Sequence, residues 1–132
     1  MVGPVNTAKN IVLIVDDEPI ILRLATAAVA DAGFRATVAE NGVAGFECFV
    51  MLQEEICLVL ADVVMPAMNG VQMAQRILAI NPAAKILLMS GYSDPVLQTQ
   101  GTIEGLPFLR KPFLAEDLIN KIRFVLGIGA GA

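Results

Sequence analysis

The sequence predicts one α/β domain in which five parallel strands form a doubly wound sheet with helices on both faces. Its 132 residues suit a single domain. The apolar runs are short and continuous, as in strands that are buried on both faces, and they alternate with segments of helical spacing. The runs at Ile11–Val15 and at residues 56–61 are far shorter than the roughly 20 residues of a membrane-spanning helix. The hydrophobic fraction of 56% therefore indicates a buried sheet.

The strands are predicted from β-branched and apolar runs that end at polar or turn residues. In chain order they are residues 11–15, 34–38, 56–61, 86–89 and 108–111. Because a helix follows each strand, right-handed crossovers should make all five parallel. Ligands of such sheets bind beyond the carboxyl ends of the strands, so this edge is where we look for a functional site.

The first two helices are predicted from their end signals and their apolar spacing. Pro19 suits the first turn of a helix, and Gly33 suits the left-handed residue that ends one. The residues that this helix is expected to bury are Ile21, Ala25, Ala28 and Val29. Asn41 and Gly42 open the second helix. Its expected apolar face consists of Val43, Phe46 and Val50.

The third helix is expected over residues 71–80, and Asn81 and Pro82 end it because proline cannot continue a helix. A fourth helix is expected to start at Asp94 and Pro95, although two glycines within the next eleven residues make it short or frayed.

An apolar stripe predicts the last helix, which should end before Gly127. The stripe consists of Leu118, Ile119, Ile122, Val125 and Leu126. The expected domain covers residues 11–127, between an N-terminal extension of residues 1–10 and a flexible tail of residues 128–132.

The composition argues against several functions. The chain has no histidine, so it supplies no imidazole for catalysis, metal binding or phosphohistidine formation. A net charge of −4 without clusters of lysine or arginine argues against nucleic-acid binding. Cys48 and Cys57 lack the spacing of a redox or zinc motif and are expected to be buried thiols. The N-terminus carries no apolar signal segment, which predicts a cytoplasmic location without membrane contact.

Polar residues follow four of the five predicted strands. They are Asp16 and Asp17, Asp62, Ser90, and Lys111. Taken singly, each has a plain structural explanation, such as a solvated turn, a cap or an exposed charge. One shared site explains all of them together, because the ends of parallel strands meet at the same edge.

These residue types fit phosphoryl transfer that depends on a metal ion. Clustered carboxylates repel one another unless a cation neutralises them, and Mg²⁺ prefers oxygen ligands and shares phosphate oxygens. A lysine supplies a charge for a phosphoryl oxygen, and a serine hydroxyl donates to another.

Four motifs carry a resemblance to a known family. IVLIVDDEP, LVLADVVMPAMNG, ILLMSGYSD and FLRKPF resemble, in order and spacing, the receiver domains of two-component response regulators. The resemblance covers residues 11 to 126 and implies the (βα)₅ fold of CheY-like receivers. It also implies a phosphorelay function and a phosphohistidine that belongs to a partner.

The resemblance implies a role for each residue of the site. Asp62 is the expected phosphoacceptor and takes the phosphoryl group from a histidine kinase or a histidine phosphotransfer protein. The expected Mg²⁺ ligands are Asp16, Asp17, the Asp62 carboxylate and the backbone carbonyl of Val64. The groups expected to hold the phosphoryl oxygens are Ser90 and Lys111.

The resemblance further implies a conformational switch in which Phe108 turns inward as Ser90 moves toward the phosphoryl group. The alternative for Phe108 is a plain core residue. The family's proline after the lysine corresponds to Pro112, where the peptide bond is commonly cis; a simple turn is the alternative. Val64 and Tyr92 flank the expected path of attacking water and carry no acid or amide to orient it, which predicts slow autodephosphorylation.

Other functions remain as alternatives. A phosphatase with an aspartate nucleophile requires a second acid two residues later, where this chain has Val64. A flavodoxin-like cofactor binder requires a phosphate-binding loop after the first strand, where this chain is acidic. A receiver-fold binding module that works without phosphorylation is the main alternative. We expect no enzymatic activity beyond self-phosphorylation and dephosphorylation. The downstream partner is expected to be a protein whose identity the sequence does not give. The chain is expected to be either a stand-alone regulator or a fragment of a larger protein such as a hybrid sensor kinase.

Overall fold

Five parallel strands form one sheet in the computed structural model, which describes residues 9–91 and 106–128. The strands are β1 (Ile11–Val15), β2 (Arg35–Ala39), β3 (Ile56–Asp62), β4 (Ile86–Ser90) and β5 (Phe108–Arg110). Their order across the sheet is β2-β1-β3-β4-β5, and every neighbouring pair is parallel. Strands therefore lie on both sides of β1, which confirms the predicted doubly wound sheet.

Some strand bounds differ by one residue from the predicted ones. β2 begins at Arg35 because the backbone N–H of Phe34 donates to the Val29 carbonyl and closes the end of the preceding helix, at 3.0 Å. β3 and β4 each include their terminal polar residue, Asp62 and Ser90. β5 ends one residue earlier than predicted, which leaves Lys111 just beyond the strand.

Four helices lie in the described part of the chain. They are α1 (Pro19–Asp31), α2 (Gly42–Leu52), α3 (Gly70–Ile80) and α4 (Ala115–Leu126). Gly33 and Gly127 follow α1 and α4 with φ of +96° and +76°, a left-handed conformation that suits glycine. The helix predicted from Asp94 onward lies outside the described residues. No helix in residues 9–91 or 106–128 is long and apolar enough to cross a membrane.

The core has two layers, one on each face of the sheet. In β1, Leu13 and Val15 point to the layer that α2 and α3 cover, whereas Val12 and Ile14 point to the layer that contains α1 and α4. All five residues of β1 and of β4 are buried, as the continuous apolar runs predicted. In α1, Ala25, Ala28 and Val29 are buried as expected, but Ile21 is only half-buried.

The predicted inner face of α2 is wrong. Val43 and Val50 are 46% and 44% exposed and Phe46 is half-buried, whereas the buried residues are Gly42, Gly45 and Phe49. The reason is the close approach of the helix to its neighbours. A Cβ atom at Gly45 would lie 2.8 Å from Val15 and 2.9 Å from the Met73 sulfur, so a larger residue there would force these side chains to shift.

Candidate functional site

Four strand ends bring polar side chains to one edge of the sheet. Asp16 follows β1, Asp62 ends β3, Ser90 ends β4 and Lys111 follows β5. These strands are consecutive neighbours in the sheet, so the side chains converge as predicted. Asp16, Asp62 and Ser90 are buried, at 0%, 6% and 0% exposure.

Lys111 is the cation at the centre of this cluster. Its Nζ atom donates to Asp16 Oδ2 at 3.1 Å and to Glu18 Oε1 at 3.0 Å, and it lies 3.4 Å from Asp62 Oδ1. The lysine side chain is 17% exposed. Three acids from two strand ends therefore share one partly buried ammonium group.

Glu18 is a site residue that sequence reasoning missed. Its carboxylate completes the acceptors around Lys111, and its backbone N–H donates to Asp16 Oδ1 at 2.9 Å. The signal in the sequence is its position directly before Pro19, as the N-cap residue of α1 and two residues after Asp16.

Asp16, Asp17 and Asp62 form a cluster that suits a divalent cation. Each offers a carboxylate oxygen, and these oxygens lie within 4.8 Å of one another. Asp17 is the exposed member of the set. Two buried acids and one exposed acid thus offer the oxygen ligands that a hard divalent cation prefers.

The turn after β3 is tightly packed against Asp62. The Val63 N–H donates to the Met89 carbonyl and the Gly70 N–H donates to the Val63 carbonyl, both at 2.9 Å. A Cβ atom at Gly70 would collide with the backbone carbonyl of Asp62. Gly70, the first residue of α3, thus lies directly against the backbone of Asp62 and leaves no room for a side chain.

The pKa of Asp62 is raised from 3.8 to about 6. Burial is the largest cause, and the nearby negative charge of Asp16 adds to it; Lys111 and the Val64 backbone act in the opposite direction. Burial also raises the pKa of Asp16 against the effects of the Glu18 N–H and Lys111. For Lys111, burial lowers the pKa, but Glu18, Asp62 and Asp16 outweigh it, so its pKa is raised and it stays charged.

The raised pKa predicts that the metal-free protein loses stability as the pH rises. Between pH 3.8 and about 6 the folded state holds a proton on Asp62 that the unfolded state has released, so the stabilisation is complete below this range and lost above it. We expect the free energy of unfolding to fall by about 3 kcal/mol in total, since the pKa differs by about two units and one unit corresponds to about 1.4 kcal/mol.

Urea unfolding in a chelating buffer at several pH values measures this slope. Asp62→Asn should reduce this slope, and the raised pKa of Asp16 should leave a smaller one, whereas Asp31→Asn, at an exposed position on α1, should keep the wild-type slope. An unchanged slope in Asp62→Asn would show that another group carries the pH dependence.

The remaining predicted site residues surround the cluster. Ser90 donates to the Gly91 carbonyl at 3.2 Å, and its own carbonyl accepts from the Lys111 N–H at 2.7 Å. Val64 is 52% exposed beside Asp62. Phe108 is half-buried in β5 and packs against the core layer that α2 and α3 cover. The Lys111–Pro112 bond is cis, as the resemblance implied. Tyr92 lies outside the described residues.

Comparison with known proteins identifies the family. The model of the response regulator receiver domain matches residues 12–123, which is most of the chain. The chain therefore belongs to the response regulator receiver domain family, the receiver module of two-component systems, as its motifs indicated.

Named relatives differ in how much of their length this chain covers. It is 33% identical over 117 residues to the response regulator receiver protein CpdR of Brucella abortus, covering 87% of this chain and 95% of that protein. It is 28% identical to the sensor kinase CckA of the same organism, covering 87% of this chain but only 12% of the kinase. Receiver domains of this type thus occur in a short protein and within a large kinase.

A solved structure supports the same fold. The response regulator protein TrrA of Thermotoga maritima, in complex with Mg²⁺-BeF, superimposes with a TM-score of 0.77 at 28% identity, covering 88% of this chain and 98% of that chain.

Proposed function

We propose that Asp62 is the phosphoacceptor of this receiver domain and takes its phosphoryl group from a phosphohistidine on a partner. The observation that carries the proposal is the position of the Asp62 carboxylate, which is buried at a strand end and lies 3.4 Å from Lys111. A nucleophile needs such a cation close by, because negative charge builds up on the transferred group.

The environments of the three aspartates favour Asp62 as the nucleophile. Both oxygens of Asp16 accept hydrogen bonds, one from the Glu18 N–H and one from Lys111. Asp17 is exposed and lies at the outside of the cluster. Asp62 ends β3, which lies between β1 and β4, and one of its carboxylate oxygens is 3.4 Å from Lys111, a group that can hold a phosphoryl oxygen.

We propose Mg²⁺ as the cation of the acidic cluster, held by Asp16, Asp17 and the carboxylate of Asp62, with the Val64 carbonyl as a further ligand. The oxygen ligands of the cluster and their mutual repulsion fit a hard divalent ion. TrrA of Thermotoga maritima, which is in complex with Mg²⁺-BeF, is a relative that supports this choice. When bound, Mg²⁺ supplies positive charge for the phosphoryl oxygens.

The residues of the chain divide the chemistry between them. An Asp62 oxygen forms the new bond to phosphorus while the bond from phosphorus to the donor imidazole nitrogen breaks, and the imidazole leaves. Lys111 offsets charge on an equatorial oxygen, and Ser90 donates its hydroxyl to another. Glu18 and Asp16 hold the ammonium group of Lys111 in place.

The acyl phosphate then offers acceptor oxygens that the free carboxylate lacks, so the phosphorylated state makes new contacts with Ser90 and Lys111. A switch follows if those contacts favour a second arrangement of β4 and β5. Phe108 is the proposed reporter of this switch, because it pairs with Leu88 two residues before Ser90 and contacts the core.

We propose a histidine kinase or a histidine phosphotransfer protein as the donor, and a protein as the downstream partner, in the cytoplasm. The chain covers only 12% of the CckA kinase but 95% of CpdR, so both a hybrid kinase and a single-domain regulator are suitable contexts. Its chemistry acts on its own aspartate, as expected for a regulator rather than an enzyme that turns over a separate substrate.

The test is the intact mass of the protein after incubation with a small acyl-phosphate donor. Wild type with Mg²⁺ should gain the mass of one phosphoryl group, and Asp62→Asn should gain none. Chelation of Mg²⁺ or Asp16→Asn should reduce the adduct strongly, whereas Asp31→Asn should form it at the wild-type rate. If wild type gains no adduct under any condition, a phosphorylation-independent binding module becomes the better explanation.

We expect the phosphorylated protein to lose its phosphoryl group slowly. Val64 is exposed beside the acceptor, and its side chain has no group that orients water. Val64→Asn should therefore shorten the lifetime of the adduct several-fold, measured by its decay after the donor is removed. Val38→Asn, at a comparably exposed valine on β2, is the matched control. An unchanged lifetime in Val64→Asn would count against this role.

A further inference from the structure

The outward surface of α2 is more apolar than a solvated helix requires. Glu47 is the single charged residue among its 11 residues. Its inner side is already packed on the core, yet its outer side carries large apolar side chains. These are Val43, Val50 and Met51, at 46%, 44% and 81% exposure. A helix that is apolar on both sides is typically covered on both sides.

α3 lies beside α2 and extends this surface. A groove of about 540 Å³ runs along α3 between its polar residues and the start of α2. We name the surface the α2–α3 face and define it by six exposed residues. These are Val43, Glu47 and Val50 of α2 and Gln72, Arg76 and Ala79 of α3. Each set of three lies on one side of its helix, because the residues are three or four positions apart.

The two helices are in register along this face. Both connect parallel strands, so they run in the same direction, and Gly45 of α2 lies beside Met73 of α3. Glu47 is two residues beyond Gly45, and Arg76 is three residues beyond Met73. With a rise of about 1.5 Å per residue, the two charged residues lie at nearly the same level. The same count places Val50 level with Ala79.

We propose that the α2–α3 face binds the same face of a second copy of this chain. A twofold axis parallel to the helices would place α2 of each copy against α3 of the other, at matching levels. Glu47 of each copy then faces Arg76 of the other, which forms two equivalent ion pairs. Val50 of each copy packs on Ala79 of the other, and Val43 of each copy faces the groove along α3 of the other.

The charges of the face favour a second copy over an unrelated partner. Within residues 9–91 and 106–128, neither Glu47 nor Arg76 forms an ion pair. The face is neutral although the whole chain carries −4, so two copies do not repel each other there. A uniformly acidic or basic partner would oppose one of the two charges, whereas a rotated copy satisfies both.

The size of the face sets the expected strength. Helices of 11 residues are about 16 Å long, so two of them side by side cover roughly 300 Å² per copy, below the size of a standard stable interface. We therefore expect a weak dimer that forms as the concentration rises from micromolar to millimolar.

Sedimentation velocity across that range tests the proposal. Wild type should shift from monomer to dimer, and Glu47→Arg and Arg76→Glu should each weaken association at least about tenfold because like charges then meet twice. An equimolar mixture of the two variants should associate about as well as wild type, since every reversed charge meets an opposite one. Arg23→Glu, on the exposed side of α1, should leave association unchanged.

The mixture also controls for folding, because a misfolded variant does not regain association in the presence of another. Two results would overturn the proposal. One is a wild type that stays monomeric at millimolar concentration, which would leave another protein as the occupant of the face. The other is a mixture that associates no better than either variant alone, which would exclude the twofold pairing of Glu47 with Arg76.

Discussion

Lys111→Met should slow phosphorylation by an acyl-phosphate donor about 100-fold or more, because removal of a single preorganised group that stabilises transferred charge has an effect of this size. In this protein the lysine has a second role. It lies within 3.4 Å of acids from two strand ends and reduces the repulsion between Asp16 and Asp62. Without it, the Asp62 carboxylate, our proposed acceptor, should bind a proton more readily at neutral pH and attack phosphorus less well.

The rate of adduct formation, followed by intact mass, measures this effect. Lys121→Met is the matched control, since Lys121 lies on α4 over the Phe124 ring and away from the site, and its loss should leave the rate unchanged. Lys111→Arg keeps the charge but not the compact geometry of the ammonium group, so it should restore only part of the rate. A Lys111→Met variant that reacts as fast as wild type would remove this residue from the mechanism.

Gly70→Ala should reduce the free energy of unfolding by at least about 2 kcal/mol, since added atoms in a packed site force the backbone to shift. The new methyl group would collide with the Asp62 carbonyl, which is backbone and has little freedom to move. Because the same carbonyl belongs to the proposed acceptor residue, the rate of adduct formation should fall as well.

Gly91→Ala is the control, because a Cβ atom there meets no atom within 4 Å among the described residues, apart from its chain neighbours. Its stability should stay within about 0.5 kcal/mol of wild type. Chemical unfolding with urea measures both variants. Equal stabilities of the two variants would contradict the close packing of α3 on the end of β3.

The site was predictable from sequence where it depends on topology. The ends of parallel strands share one edge, so the positions of Asp16, Asp62, Ser90 and Lys111 followed once the strands were recognised. The contact between Glu18 and Lys111 was not predictable in this way. The role of Glu18 depends on where the Lys111 side chain lies, and that residue is 93 positions away in the chain.

The orientation of α2 was not predictable from its apolar pattern. Large side chains usually mark the inner face of a helix, but here Gly42 and Gly45 face inward. Gly42 lies against the backbone of Met68, and Gly45 lies against Val15 of β1 and Met73 of α3. The helix is apolar on both sides, so the pattern alone did not distinguish them. The outward valines that misled the prediction are the residues from which the α2–α3 face is inferred.

The most direct test of the phosphoacceptor assignment is to locate the phosphoryl group on the chain. Borohydride reduces an aspartyl phosphate to homoserine, and peptide mass spectrometry of the reduced protein then identifies the position. We predict homoserine at position 62 and unmodified aspartate at positions 16 and 17. Homoserine at either of those positions, with aspartate retained at 62, would contradict the assignment and with it the division of roles among these acids.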